Sequence, residues 1–130
     1  MLTITALYAG FLGLIFIALS FKIVGIRKSE SIGIGDGGNE KLQLACRVQA
    51  NFAEYVPIAL ILLAIFELNS WASLHVHIIG TSLVIARLLH AWGYGKSSGI
   101  SAGRFTGILL TWVVIIVLSG LNIYSAIIAL

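Results

Sequence analysis

Four helices that each cross a lipid bilayer are the architecture expected here: an all-α, integral membrane four-helix bundle. Three observations predict it. First, the 130 residues are 59% hydrophobic and only 10% charged, whereas soluble domains are about 25% charged. Second, the apolar residues fall in four blocks, roughly 2–24, 42–68, 71–92 and 105–130. Each can cross a hydrocarbon core of ~30 Å, which takes about 20 residues at ~1.5 Å per residue. Third, no alternation of apolar and polar residues points to a barrel, and an open sheet cannot satisfy its backbone in lipid.

The helices are expected at about 2–26, 41–69, 71–94 and 104–130, in one domain. The first ends at the basic pair Arg27–Lys28. It lacks a basic leader and is longer than a signal-peptide core, so it is read as a retained helix. Residues 31–39, Ser-Ile-Gly-Ile-Gly-Asp-Gly-Gly-Asn, are rich in turn formers and cannot continue it. The second helix starts near Glu40 and contains Pro57, which removes a backbone hydrogen bond and is expected to bend it just beyond Glu54. Asn69-Ser70 makes a short turn, the third helix stops near Gly93, and 96–103 is a polar connection. Small residues at four-residue spacing (Ala9 and Gly13; Gly103, Gly107 and Thr111) mark faces where helices can approach closely.

All eight lysines and arginines lie in or near the first and third connections, and the second has none. By the positive-inside rule those two connections face the cytoplasm and both termini lie opposite. That placement explains the net charge of +3 without a nucleic-acid partner. A single cysteine, Cys46, excludes an intrachain disulfide. The glycine run at 33–38 lacks the Lys-Ser/Thr of a phosphate loop, and His75 and His77 lie at the far end of the third helix from His90. No metal site is expected.

Polar residues inside the apolar blocks carry the functional signal, because charges in hydrocarbon are costly. Gln43, Arg47, Asn51 and Glu54 share about 80° of the second helix, and Arg87, His90 and Tyr94 share about 60° of the third. Both stripes occupy the cytoplasmic end, so they can meet. The plain structural reading pairs Glu54 with Arg47 or Arg87. The surplus of Arg47, Arg87 and Arg104 over one intramembrane carboxylate favours an anionic guest held by forked hydrogen bonds.

These residues resemble a family, the membrane-associated proteins in eicosanoid and glutathione metabolism, in its bacterial branch. Arg47-Val-Gln-Ala-Asn51-Phe-Ala-Glu54-Tyr55-Val-Pro57 is similar to the second-helix signature Arg-x-x-x-Asn-x-x-Glu. Arg87-Leu-Leu-His90-Ala-Trp-Gly-Tyr94 resembles the third-helix pattern, and Gly-Asp-Gly-Gly-Asn at 35–39 resembles the bacterial loop. The resemblance implies a homotrimer in the bacterial inner membrane, binding glutathione as co-substrate between subunits near the cytoplasmic face. It implies that Arg47, Asn51, Glu54, Tyr55, Arg87, His90 and Tyr94 line that site, and that Arg104 stabilises the thiolate as the catalytic residue. Ala50 departs from members carrying arginine there, and His90 matches the prostaglandin-synthase-like pattern. The expected function is glutathione-dependent transferase or peroxidase chemistry on a small hydrophobic substrate. Two alternatives stay open: a non-catalytic binding or scaffold protein of the same architecture, and a small proton-coupled exporter using Glu54.

Overall fold

The computed structural model describes residues 1–93 and 101–130. Four long helices account for nearly all of them: α1 (Thr3–Ser29), α2 (Glu40–Leu68), α3 (Ser73–Trp92) and α4 (Ala102–Ala129). Each is long and apolar enough to span a membrane. Their outward faces carry large exposed apolar side chains such as Leu14, Phe21, Leu74 and Ile116, the composition required of a surface solvated by hydrocarbon.

The buried positions of α2 reveal how the bundle winds. Ala45, Phe52, Ala59 and Phe66 recur every seven residues, and Leu42, Val56 and Leu63 fill the alternate row. A repeat of 3.5 residues keeps one seam facing its neighbours in a left-handed bundle. That seam meets Leu12 of α1, Val76 and Leu83 of α3, and Val114 and Leu118 of α4. Helix α1 packs on α2 and α3, while α4 packs on α3 and α2; α1 and α4 do not touch among the described residues.

Helix ends follow from local chemistry. Asn39 caps α2 by accepting from the Leu42 N–H at 3.0 Å, and Ser101 caps α4 by accepting from the Arg104 N–H at 3.4 Å. α1 has no cap of its own. Its first turn is instead capped by Glu67, whose two carboxylate oxygens accept from the Ile4 N–H at 2.9 Å and the Thr5 N–H at 2.7 Å. α1 also continues through the basic pair to Ser29, past the expected end. Pro57 does not interrupt α2, and it sits on the exposed side.

Besides the Glu67 cap, Tyr8 and Ser20 tie α1 to its neighbours by side-chain hydrogen bonds. The Tyr8 hydroxyl reaches His77 Nδ1 and Thr81 Oγ1, each at 2.9 Å, and donates to the His77 carbonyl at 3.0 Å. Gly80 leaves room for the Tyr8 ring against α3, since any Cβ there would collide with it. Deeper in the span, Gln49 donates to Ser20 Oγ at 2.7 Å.

The tightest crossing is between α3 and α4. A Cβ on Gly107 would stand 2.6 Å from both the Ala86 carbonyl oxygen and the His90 nitrogen. One on Gly103 would stand 2.9 Å from Gly93 Cα. The Gly103, Gly107, Thr111 row is therefore the seam that brings α4 against α3. The Ala9, Gly13 pair does no such work within the subunit, because Gly13 has open space around it.

Candidate functional site

The α3–α4 crossing determines what α3 can bury. Arg87 is 1% exposed, and among the described residues no larger side chain is fully enclosed. Its Nη2 donates to Asn51 Oδ1 on α2 at 2.8 Å and faces His90 Nδ1 at 3.4 Å. Its Nη1 donates to Thr111 Oγ1 on α4 at 3.4 Å. Thr111 can accept because its own hydrogen goes to the Gly107 carbonyl at 2.8 Å. The guanidinium carbon lies 5.3 Å from the centre of the Phe52 ring, a cation–π contact worth about 2 kcal/mol when desolvated. Nε is buried without a partner. None of these partners is a carboxylate, so α2, α3 and α4 converge on a buried cation solvated by neutral groups.

In front of Arg87 opens a cleft of ≈ 340 Å³. Arg47, Val48 and Asn51 of α2 form one wall, His90 of α3 the back, and Ser101, Arg104, Phe105 and Ile108 the opposite wall. Arg47 is exposed and makes no hydrogen bond or ion pair among the described residues. Arg104 is half-buried in the first turn of α4. The N-terminus of α4 adds its own partial positive charge to that wall. A second hollow, ≈ 510 Å³, adjoins on the side of α1 and is lined by Arg27, Gly35, Asp36, Gln43, Cys46 and Arg47. Arg27 reaches across it to the Gly35 carbonyl at 2.8 Å, tying the glycine-rich loop to the end of α1. Arg47 stands on the wall between the two hollows.

Four of the sequence-derived site residues thus meet around one space: Arg47, Asn51, His90 and Arg104. Arg87 stands directly behind it. Glu54 does not join them. It is exposed on the outer side of α2 and pairs with neither Arg47 nor Arg87 within the subunit. Tyr55 turns toward α4 instead, its ring 6.4 Å from that of Trp112. Tyr94 lies outside the described residues. Sequence reasoning missed Thr111 and Phe52 as supports of Arg87. Thr111 carried a weak signal as the third member of the small-residue row.

An open, apolar-walled cleft with cations and neutral polar groups, and no carboxylate among its described lining residues, can hold an anion at the end of a membrane bundle. Comparison with known proteins agrees with that architecture. The profile of the MAPEG family matches residues 5–124. The inner membrane protein YecN of Escherichia coli strain K12 is 33% identical over 121 residues, covering 93% of this chain and 91% of the relative. YecN of Escherichia coli O6:H1 matches with the same figures. A family match across nearly the whole chain, carried by four apolar helices, leads to one conclusion: this chain is an integral membrane protein that belongs to the MAPEG family.

Proposed function

We propose that the protein is a glutathione-dependent transferase, with peroxidase chemistry on lipid hydroperoxides as a second use of the same thiol. The observation that carries this reading is the cleft itself, where Arg47 and Arg104 face one space with Asn51 and His90. The family includes glutathione transferases, and glutathione offers the two carboxylates and the thiol that such a lining matches. Arg47 and Asn51 hold the peptide's anionic groups. Arg104 stands beside the sulfur, and its positive charge favours the thiolate. The thiol proton leaves to water, the thiolate attacks the electrophilic carbon, and the leaving group departs with the bonding electron pair. The apolar electrophile enters from lipid past Phe105 and Ile108.

Glu54 supports an assembly of several subunits, as expected of a homotrimer. It lies fourteen residues into α2, about 21 Å along the axis at 1.5 Å per residue. An exposed carboxylate in the middle of an apolar span is costly when it faces lipid, which favours a covering partner. A neighbouring subunit provides one, and brings Glu54 and Tyr55 to a site completed across the interface. By the positive-inside rule the basic connections favour a cleft at the cytoplasmic face, and the relative YecN is an inner membrane protein.

The test is conjugation of glutathione to chlorodinitrobenzene by the detergent-purified protein. Wild type is expected to turn over, and Arg104→Ala to lose at least about tenfold in rate, the value of one charge-assisted hydrogen bond to the thiolate. Equal rates in the two proteins exclude Arg104 from the chemistry. Binding of glutathione without turnover in the wild type transfers the protein to the non-catalytic reading.

A further inference from the structure

Among the described residues Arg87 is the largest side chain that is fully buried, yet it does not line the cleft. Its role follows from an elementary property: a guanidinium only donates hydrogen bonds. Every atom to which it presents an N–H must therefore accept. At Asn51 this fixes the amide, with Oδ1 turned inward at 2.8 Å and the NH₂ group left over. At His90 it fixes the tautomer. Nδ1, 3.4 Å from Nη2, must be the unprotonated nitrogen, so the ring is neutral and carries its hydrogen on Nε2.

Asn51 and His90 both line the cleft, and neither remaining group has a partner among the described residues. The polar groups they offer to a ligand are consequently donors. Arg47 and Arg104 also only donate. Ser101, the remaining polar residue among the described lining, accepts from the Arg104 N–H and keeps its hydroxyl hydrogen to donate. We infer that Arg87 is a positioning residue that sets the hydrogen-bond polarity of the cleft. By occupying the acceptor atoms of Asn51 and His90, it leaves a donor lining that selects ligand groups able only to accept, a thiolate or carboxylate, over a thiol, an alcohol or an ammonium. One consequence is chemical. His90 has no lone pair to receive the thiol proton, so it is a hydrogen-bond donor to the bound anion and not a general base.

This inference rests on the cleft being the ligand site, and its test separates the two claims. The protein labelled with ¹⁵N-histidine, in nanodiscs, gives long-range proton–nitrogen correlations for each ring, with the His90 signals assigned by their loss in His90→Gln. Wild type is expected to show an unprotonated Nδ1 and a protonated Nε2 at His90. In Arg87→Met, which keeps the side chain's length but removes its donors, His90 is expected to become a mixture of tautomers. Binding is then compared for glutathione sulfonate, anionic at sulfur, and S-methylglutathione, uncharged there. Wild type is expected to prefer the sulfonate by about tenfold or more, and Arg87→Met to lose most of that preference, the equivalent of one charge-assisted bond. Arg87→Lys keeps the charge but lacks the fork, and is expected to leave the preference unrestored.

A His90 protonated on Nδ1 in the wild type overturns the inference whatever the probes do, and needs no variant to fold. An unchanged sulfonate preference in a folded Arg87→Met protein overturns it too. The expected tautomer with no binding of either probe upholds the placement of Arg87 and removes glutathione as the ligand.

Discussion

Gly107→Ala is the smallest perturbation that tests how the bundle is held and how its cleft is framed. The added Cβ would stand 2.6 Å from the Ala86 carbonyl oxygen, 2.6 Å from the His90 nitrogen and 2.8 Å from His90 Cα. Ordinary contact begins at 3.4 Å, so α3 and α4 must part by about 0.8 Å locally. All three atoms are backbone, and no side chain can swing aside to absorb the methyl. A gap of that width forfeits roughly a quarter to a half of the dispersion energy between the surfaces it separates, and overpacking of this kind costs about 1–3 kcal/mol. The same displacement loosens the Arg87–Thr111 bond, already 3.4 Å long. Gly120, on the same helix, has nothing within 4 Å. There alanine is expected to be neutral or to stabilise by about 0.5–1 kcal/mol through helix propensity. Unfolding followed by circular dichroism in a graded mixture of mild and denaturing detergents measures both. The expected result is a loss of about 2 kcal/mol for Gly107→Ala and none for Gly120→Ala. A Gly107→Ala protein as stable as wild type would refute the close crossing and the cleft geometry built on it.

Two further expectations concern carboxylates. Glu67→Gln replaces a charged cap that takes two backbone N–H groups with a neutral amide that offers one oxygen. It should lower stability by about 1–2 kcal/mol in the same assay, and an unchanged midpoint would show that α1 needs no cap from α2. Glu54→Leu removes the exposed intramembrane charge. If a neighbouring subunit covers Glu54 with a polar partner, light scattering should show a weakened oligomer; a leucine variant that assembles as well as wild type removes Glu54 from the interface.

The helices were legible in the sequence because lipid leaves the backbone no alternative, and the site only in part. Stripe spacing puts Arg47 with Asn51 on α2 and Arg87 with His90 on α3, and the shared cytoplasmic end shows only that the two stripes can meet. Glu54 shares the α2 stripe and lies only about 20° from Arg47 around the helix, but seven residues at ~1.5 Å each put it about 10 Å further along the axis, beyond the cleft. Arg87 and His90 share one face as well, and spacing cannot tell which of them is sealed behind the other. That is decided by Thr111 and Phe52, which approach from other helices at the rotation set by Gly107. Contacts between residues more than sixty positions apart, Glu67 with Ile4 and Tyr8 with His77, leave no periodic trace at all. The arginine surplus was visible from counting; its solvation by neutral groups in place of Glu54 was not.

The claim underlying the rest is that the cleft between α2, α3 and α4 holds the anionic groups of a thiol peptide. Calorimetric titration of glutathione into the protein in nanodiscs addresses it directly, with Arg47→Ala as the comparison. Arg47 is exposed on the cleft wall, so its loss is expected to leave the bundle intact. Saturable binding that weakens by about tenfold or more in Arg47→Ala is the predicted result, the value of one guanidinium–carboxylate contact. Heat that never saturates in the wild type, or equal affinity in the two proteins, contradicts the account.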